Sequence, residues 1–224
     1  MKRTDARIAL GCILSAMVAT AAAGDWPQVP LPQGSSVSAV AGHMVYNGLD
    51  MRPQTFRSAA SPQDLLAFYE RTWGPRRVVN QLADGSRIVG HREGDYYITV
   101  QFRAAGTGST GSIGVMDLSS APDAPPELGK GLPRPQGTHV FNDIAYPDDP
   151  VPARTVAMRN ALSVRQNAQW FEERLQGEGW KPAAANRCRD DGCVQRYERG
   201  DSKLTLVLSG EGGQSQIVLN ELQP

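Results

Sequence analysis

Residues 60–73 read ASPQDLLAFYERTW, and residues 162–175 read LSVRQNAQWFEERL. Ser61-Pro62-Gln63-Asp64 supplies an N-cap hydroxyl, a proline at the first helical position and an acid at the third. Ser163-Val164-Arg165-Gln166 supplies the hydroxyl and a glutamine at the third position. That is the capping-box pair, whose side chains satisfy orphan N–H groups reciprocally. Leu66, Tyr69 and Trp73 in one stretch, and Ala168, Phe171 and Leu175 in the other, recur at i, i+3, i+7. Each stretch is therefore expected to be an amphipathic helix with one apolar stripe.

The flanks match as well, and in the same order. HMVYNGLDM (43–51) parallels HVFNDIAY (139–146), and LPQG (31–34) parallels LPRPQG (132–137). HREGDYYITVQF (91–102) parallels RYERGDSKLTLVL (196–208), and GSIGVMDL (111–118) parallels SQIVLNEL (215–222). The separation stays near 100 residues throughout, the pattern of a tandem duplication. Ile98, Val100 and Phe102, like Leu204, Leu206 and Leu208, alternate with polar residues, as in strands with one buried face. Gly94-Asp95 and Gly200-Asp201 supply the turns before them. A helix with one apolar stripe must bury it, and a sheet face is the available partner. The expectation is an α+β chain of two tandem two-layer sandwiches, each with one helix on an antiparallel sheet of about four strands. The first copy spans 24–118 and the second 138–224. SSAPDAPPELGKGLPRPQG (119–137) between them reads as a Pro/Gly-rich linker.

The start of the chain, MKRTDARIALGCILSAMVATAAA, has a basic n-region, an apolar run from Ile8 to Ala19 and an A-x-A site at Ala21 and Ala23. That is the grammar of a secretory signal peptide over 1–23. The run is shorter than the roughly 20 residues of a membrane span, and no other stretch approaches that length. Cys12 offers a lipoprotein alternative, but only four residues separate it from Arg7, so cleavage near Ala23 is the reading adopted. Cleavage leaves 201 residues with 20 basic and 22 acidic side chains, a net charge of −2. No basic surplus argues for nucleic acid. Cys188 and Cys193 enclose RDDG, and in an oxidising compartment they are expected to form a disulfide at a hairpin tip. Their spacing is neither a redox nor a zinc pattern.

No G-x-S-x-G, H-E-x-x-H or Walker A run occurs. His43, His91 and His139 read as polar strand-edge residues. GTGSTGSIG (106–114) lacks the Gly-Lys-Ser/Thr ending of a phosphate loop, and RGD (199–201) occupies the same turn as EGD (93–95). No catalytic, cofactor-binding or metal-ligating residue and no cofactor is assigned. Phe68 and Trp170 each precede the core aromatic by one position, about 100° around the helix. They belong either to a wide core or to an interface, between the halves or with a partner.

A capped helix with a central aromatic pair (Phe68-Tyr69, Trp170-Phe171), then LQGEGW (175–180) and antiparallel strands, resembles a small α+β module of exported bacterial proteins and lipoproteins. The first copy departs from it, with TWGPRR in place of the Gly-Trp ending. The resemblance implies fold and export and no activity. The resulting expectation is a non-catalytic binding or accessory protein, periplasmic or secreted. It would contact an envelope or secreted protein, or a cell-wall or polysaccharide ligand. An inhibitor or immunity-type protein of a secreted enzyme and a hydrolase with an unfamiliar site are the alternatives.

Overall fold

A computed structural model describes residues 26–183 and 187–223. The leader with Cys12 lies outside them. The first half contains β1 (Ser36–Ala39), β2 (Met44–Tyr46), β3 (Leu49–Ser58), α1 (Pro62–Trp73), β4 (Arg77–Gln81), β5 (Arg87–Glu93), β6 (Tyr96–Ala105) and β7 (Gly108–Asp117). The second contains β8 (His139–Tyr146), β9 (Ala153–Asn160), α2 (Val164–Gly177), β10 (Lys181–Pro182), β11 (Arg187–Cys188), β12 (Gly192–Arg199), β13 (Ser202–Glu211) and β14 (Gln214–Leu222).

The helices start where the caps place them. Ser61 Oγ accepts from the Asp64 amide at 3.2 Å. Ser163 Oγ accepts from the Gln166 amide at 3.2 Å, and the Gln166 side chain accepts from the Ser163 amide at 3.0 Å. The turns at Gly94 and Gly200 fall where expected, with φ of 58° and 61°, the left-handed region glycine enters at no steric cost. RGD is thus a hairpin turn between β12 and β13.

Two separate sandwiches are not what the strands build. They form one continuous 14-stranded antiparallel sheet, in the order β10-β12-β13-β14-β9-β8-β2-β3-β7-β6-β5-β4, with β1 on β3 and β11 on β12. The physical reason lies in the two aromatic-Asn segments. β2 and β8 would each be an open edge of a smaller sheet, with a row of unpaired N–H and C=O groups. They pair with each other instead, Val45 opposite Ala145 and Tyr46 opposite Ile144. Asn47 completes the seam: its amide donates to Asp143 O at 2.8 Å, its side chain donates to Phe141 O at 3.2 Å, and its Oδ1 accepts from the Asp143 amide at 2.7 Å.

Two cores lie beneath this one sheet. Leu65, Tyr69 and Trp73 of α1 bury against Phe56, Val89, Ile98, Val100, Phe102, Ile113 and Val115. Val164, Ala168, Phe171 and Leu175 of α2 bury against the corresponding strands of the second half. The α1 stripe is Leu65, Tyr69, Trp73 rather than Leu66, Tyr69, Trp73, with Leu66 only partly buried. Opposed residues on neighbouring strands share a face, so the register settles which face each helix covers. His91, Ile98, Val115 and Arg52 are opposed in turn across β5, β6, β7 and β3. Two residues along β3, Asp50 continues through Val45, Ala145, Arg154, Glu221 and Leu204 to Tyr197. The trace begins in the core under α1 and ends in the core under α2. Both helices therefore cover the same face.

The remaining cover on that face is irregular chain. Trp26, Val29 and Leu31 pack on the first core, and Tyr69 donates its hydroxyl to Pro30 O at 3.0 Å. The 119–137 stretch is tied down as well. Leu132 packs on the second core, and the Gly129 amide donates to Asp143 Oδ2 at 2.7 Å.

Candidate functional site on the uncovered sheet face

Strand alternation puts every second residue on the face opposite the helices. Arg92, Tyr97, Met116, Met51 and Met44 are opposed in one row across β5, β6, β7, β3 and β2. Leu49, two residues along β3 from Met51, carries the row on through Tyr46, Ile144, Thr155, Asn220 and Thr205 to Arg196. This row crosses ten strands. At about 4.8 Å per strand it is about 40 Å long.

Its centre is a belt of Tyr97, Met116, Met51, Met44 and Tyr46 lying along the sheet. A Cβ at Gly90 would overlap the Tyr97 hydroxyl, and a Cβ at Gly114 would overlap the Met51 methyl. The two glycines clear troughs for these side chains. Met44 is 7% exposed, and the others are half-buried by their neighbours. Tyr46 donates its hydroxyl across the seam to Asn142 Oδ1 at 2.8 Å. Among the described residues neither helix packs on this face.

The same parity sorts the charges. On the eight longer strands outside the seam, the uncovered face carries Arg57, Arg92 and Arg103 in the first half and Arg159, Arg196 and Lys203 in the second. All six are exposed. Against them stand Glu198 and Glu211, and the short edge strands add Lys181 and Arg187. Among the described residues none of the six makes an ion pair, whereas Arg77, Arg134, Arg154 and Arg174 each do. A nearly neutral chain thus displays a basic face.

The other singled-out residues lie elsewhere. Phe68 and Trp170 are partly buried, each packed on the core of its own half and edge-on to the adjacent aromatic at 5.2 Å and 5.1 Å. Cys188 and Cys193 form a disulfide directly across β11 and β12. His43 lies between two carboxylates, Nε2 at 3.1 Å from Asp50 Oδ1 and Nδ1 at 3.4 Å from Asp148 Oδ2. His91 is a core residue rather than an edge residue, 8% exposed and stacked on Trp73 with ring centroids 4.9 Å apart. His139 is exposed at the start of β8. Among the described residues no three or more His, Cys, Asp or Glu side chains gather as a metal-holding group, and no helix is long and apolar enough to cross a membrane.

On the helix side, Trp26, Val29, Val37, Arg52, Gln54 and Val115 line a cleft of ≈ 360 Å³. Arg52 already stacks on Trp26 there, 4.6 Å from the ring centroid. In the second half the equivalent arginine, Arg154, forms a two-pronged ion pair with Asp143, Nε to Oδ1 at 2.9 Å and Nη2 to Oδ2 at 2.6 Å. Burial raises the Asp143 carboxyl, but the Arg154 bonds, the Gly129 amide and the Arg154 charge outweigh it and hold the group below the usual range.

No family model, curated protein sequence or solved structure matches the chain. The belt and its cations leave a signal in the sequence that composition and net charge do not show. They are the residues out of phase with the buried positions on each strand.

Proposed function

We propose that this is a non-catalytic binding or accessory protein of the bacterial envelope that engages its partner through the uncovered sheet face. The carrying observation is the belt of methionine and tyrosine side chains on a broad sheet face that neither helix covers. Methionine adapts its shape to a partner at low cost, and tyrosine offers an apolar ring with a polar tip. The signal-peptide grammar of residues 1–23 and the Cys188–Cys193 disulfide support export. The ordered sequence matches support an internal duplication. So do the like connections, in which a strand leads through a helix to a run of antiparallel strands and the last pairs back on the first. Duplication gives one chain two like contact surfaces, which favours multivalent attachment.

The test is cosedimentation of the mature protein with isolated bacterial envelopes. The wild type should pellet with them. Met51→Glu combined with Met116→Glu should remain in the supernatant with an unchanged circular dichroism spectrum. Gln169→Glu, on the exposed side of α2, should pellet like the wild type. Equal pelleting of all three proteins would remove the face from the reading.

A further inference from the structure

We propose that the uncovered face binds an anionic polysaccharide, laid across the strands. The inference rests on the binding role given to this face above and adds the chemistry of the ligand. Three observations carry it. The first is charge: six exposed cations without ion pairs face two acids on the strands, with Asp84 of the β4–β5 turn interacting with Arg103, in a chain whose mature net charge is −2. An acidic partner is therefore attracted to this face against the sign of the whole molecule.

The second observation is spacing. Arg103 and Arg57 flank Thr110 of β7, so their strands lie about 10 Å apart. Arg92 and Arg196 mark the two ends of a row about 40 Å long. A nucleic acid presents a phosphate about every 3.4 Å per strand and calls for a denser set of cations. Widely spaced cations suit a polymer with an acid on some of its units and neutral hydroxyls between.

The third observation is what lies between the cations. Tyr97 and Tyr46 offer ring faces with hydroxyl tips, the Tyr46 proton being given to Asn142, and Thr155 and Asn220, joined to each other at 2.9 Å, continue the same row with Thr205 in the second half. These groups donate and accept hydrogen bonds without charge, as a hydroxyl-rich ligand requires. An acidic protein surface would leave the neutral stretch between Thr155 and Thr205 without a matching chemistry.

The experiment is affinity titration of the purified mature protein with polygalacturonate, with neutral dextran and single-stranded DNA as comparison polymers. Polygalacturonate should bind at low ionic strength and weaken steeply as salt is added, while dextran should not bind. Arg57→Glu with Arg103→Glu should lower the affinity about tenfold or more. Arg159→Glu with Lys203→Glu should do so separately, so that misfolding of one variant leaves the other as a test. Arg165→Glu on α2 should bind as the wild type does. No binding of polygalacturonate, binding untouched by both face variants, or tighter binding of single-stranded DNA through the same residues would each overturn the proposal. If envelope cosedimentation still depends on Met51 and Met116 while polygalacturonate fails to bind, the ligand class falls and the binding role stands. If cosedimentation is also indifferent to the face, both fall.

Discussion

The two halves reach the same connection of strands and helix by different means. At the first turn of the helix the two devices coincide. Ser109 donates to Ala60 O at 2.8 Å in one half, and Ser215 donates to Leu162 O at 2.6 Å in the other. Beyond that turn they diverge. The first half is held by rings. Tyr69 stacks on Trp73 at 4.4 Å, Trp73 stacks on His91, and Trp26 packs against Tyr96 at 5.2 Å. The second half is held by polar pins. Asn160 and Asn167, both buried, exchange hydrogen bonds at 2.8 Å and 3.0 Å, fastening the end of β9 to the start of α2. The position of Asn167 is that of Leu65 in the first helix, and that of Asn160 is Ser58. One architecture thus tolerates either an apolar or an amide joint, provided the amides at that joint pair with each other.

Three experiments probe that contrast. The largest effect is expected from Phe171→Ala, which empties the centre of the second core and should cost about 3–5 kcal/mol. Because the cores are separate, denaturant unfolding followed by tryptophan fluorescence should show Trp180 responding before Trp73. A single transition with both reporters shifted equally would show that the halves unfold as one.

A smaller loss, about 1–3 kcal/mol, is expected from Asn167→Leu, which strips Asn160 of its buried partner. Adding Asn160→Ser imitates the first half and should recover most of the loss in a double-mutant cycle. If the double variant is as unstable as the single one, the amide pair is not the exchangeable joint the comparison implies.

The smallest effect concerns acid. Arg52 of the first half stacks on Trp26, whereas Arg154 of the second pairs with Asp143. The folded Asp143 carboxyl titrates below its unfolded value of about 3.9. Its contribution is therefore complete above that value and is lost as pH falls through the lower, folded one. Asp143→Asn should flatten the stability profile of the second half in that window and leave the first half unchanged. An unaltered acid profile would assign the slope to other carboxylates.

Much of the architecture was legible because it is local. Ser61 and Ser163 begin the helices, glycines 94 and 200 turn the hairpins, and Leu204, Leu206 and Leu208 alternate into the core as their spacing dictates. The stripe of α1 runs through Leu65 rather than Leu66, and the sequence does not separate them because two adjacent leucines fit the helical period equally well. The joining of the halves was not legible. It depends on residues about 100 positions apart and on a strand of only three residues, too short to carry a pattern. The basic face was hidden by averaging: net charge sums both faces of every strand, and only the register separates them.

The β2–β8 seam carries a consequence for the order of assembly. Each core closes through contacts within its own half, whereas the seam must bring together chain segments about 100 residues apart and is rewarded by few hydrogen bonds. Loop-closure entropy places such a contact late. The two cores are therefore expected to condense first, each with one raw sheet edge, and the edges to meet last. The reverse path opens there first, so amide hydrogens at Tyr46 and Asn47 exchange with solvent sooner than those of β6 or β13. A sheet continuous in space is in this respect hinged in time.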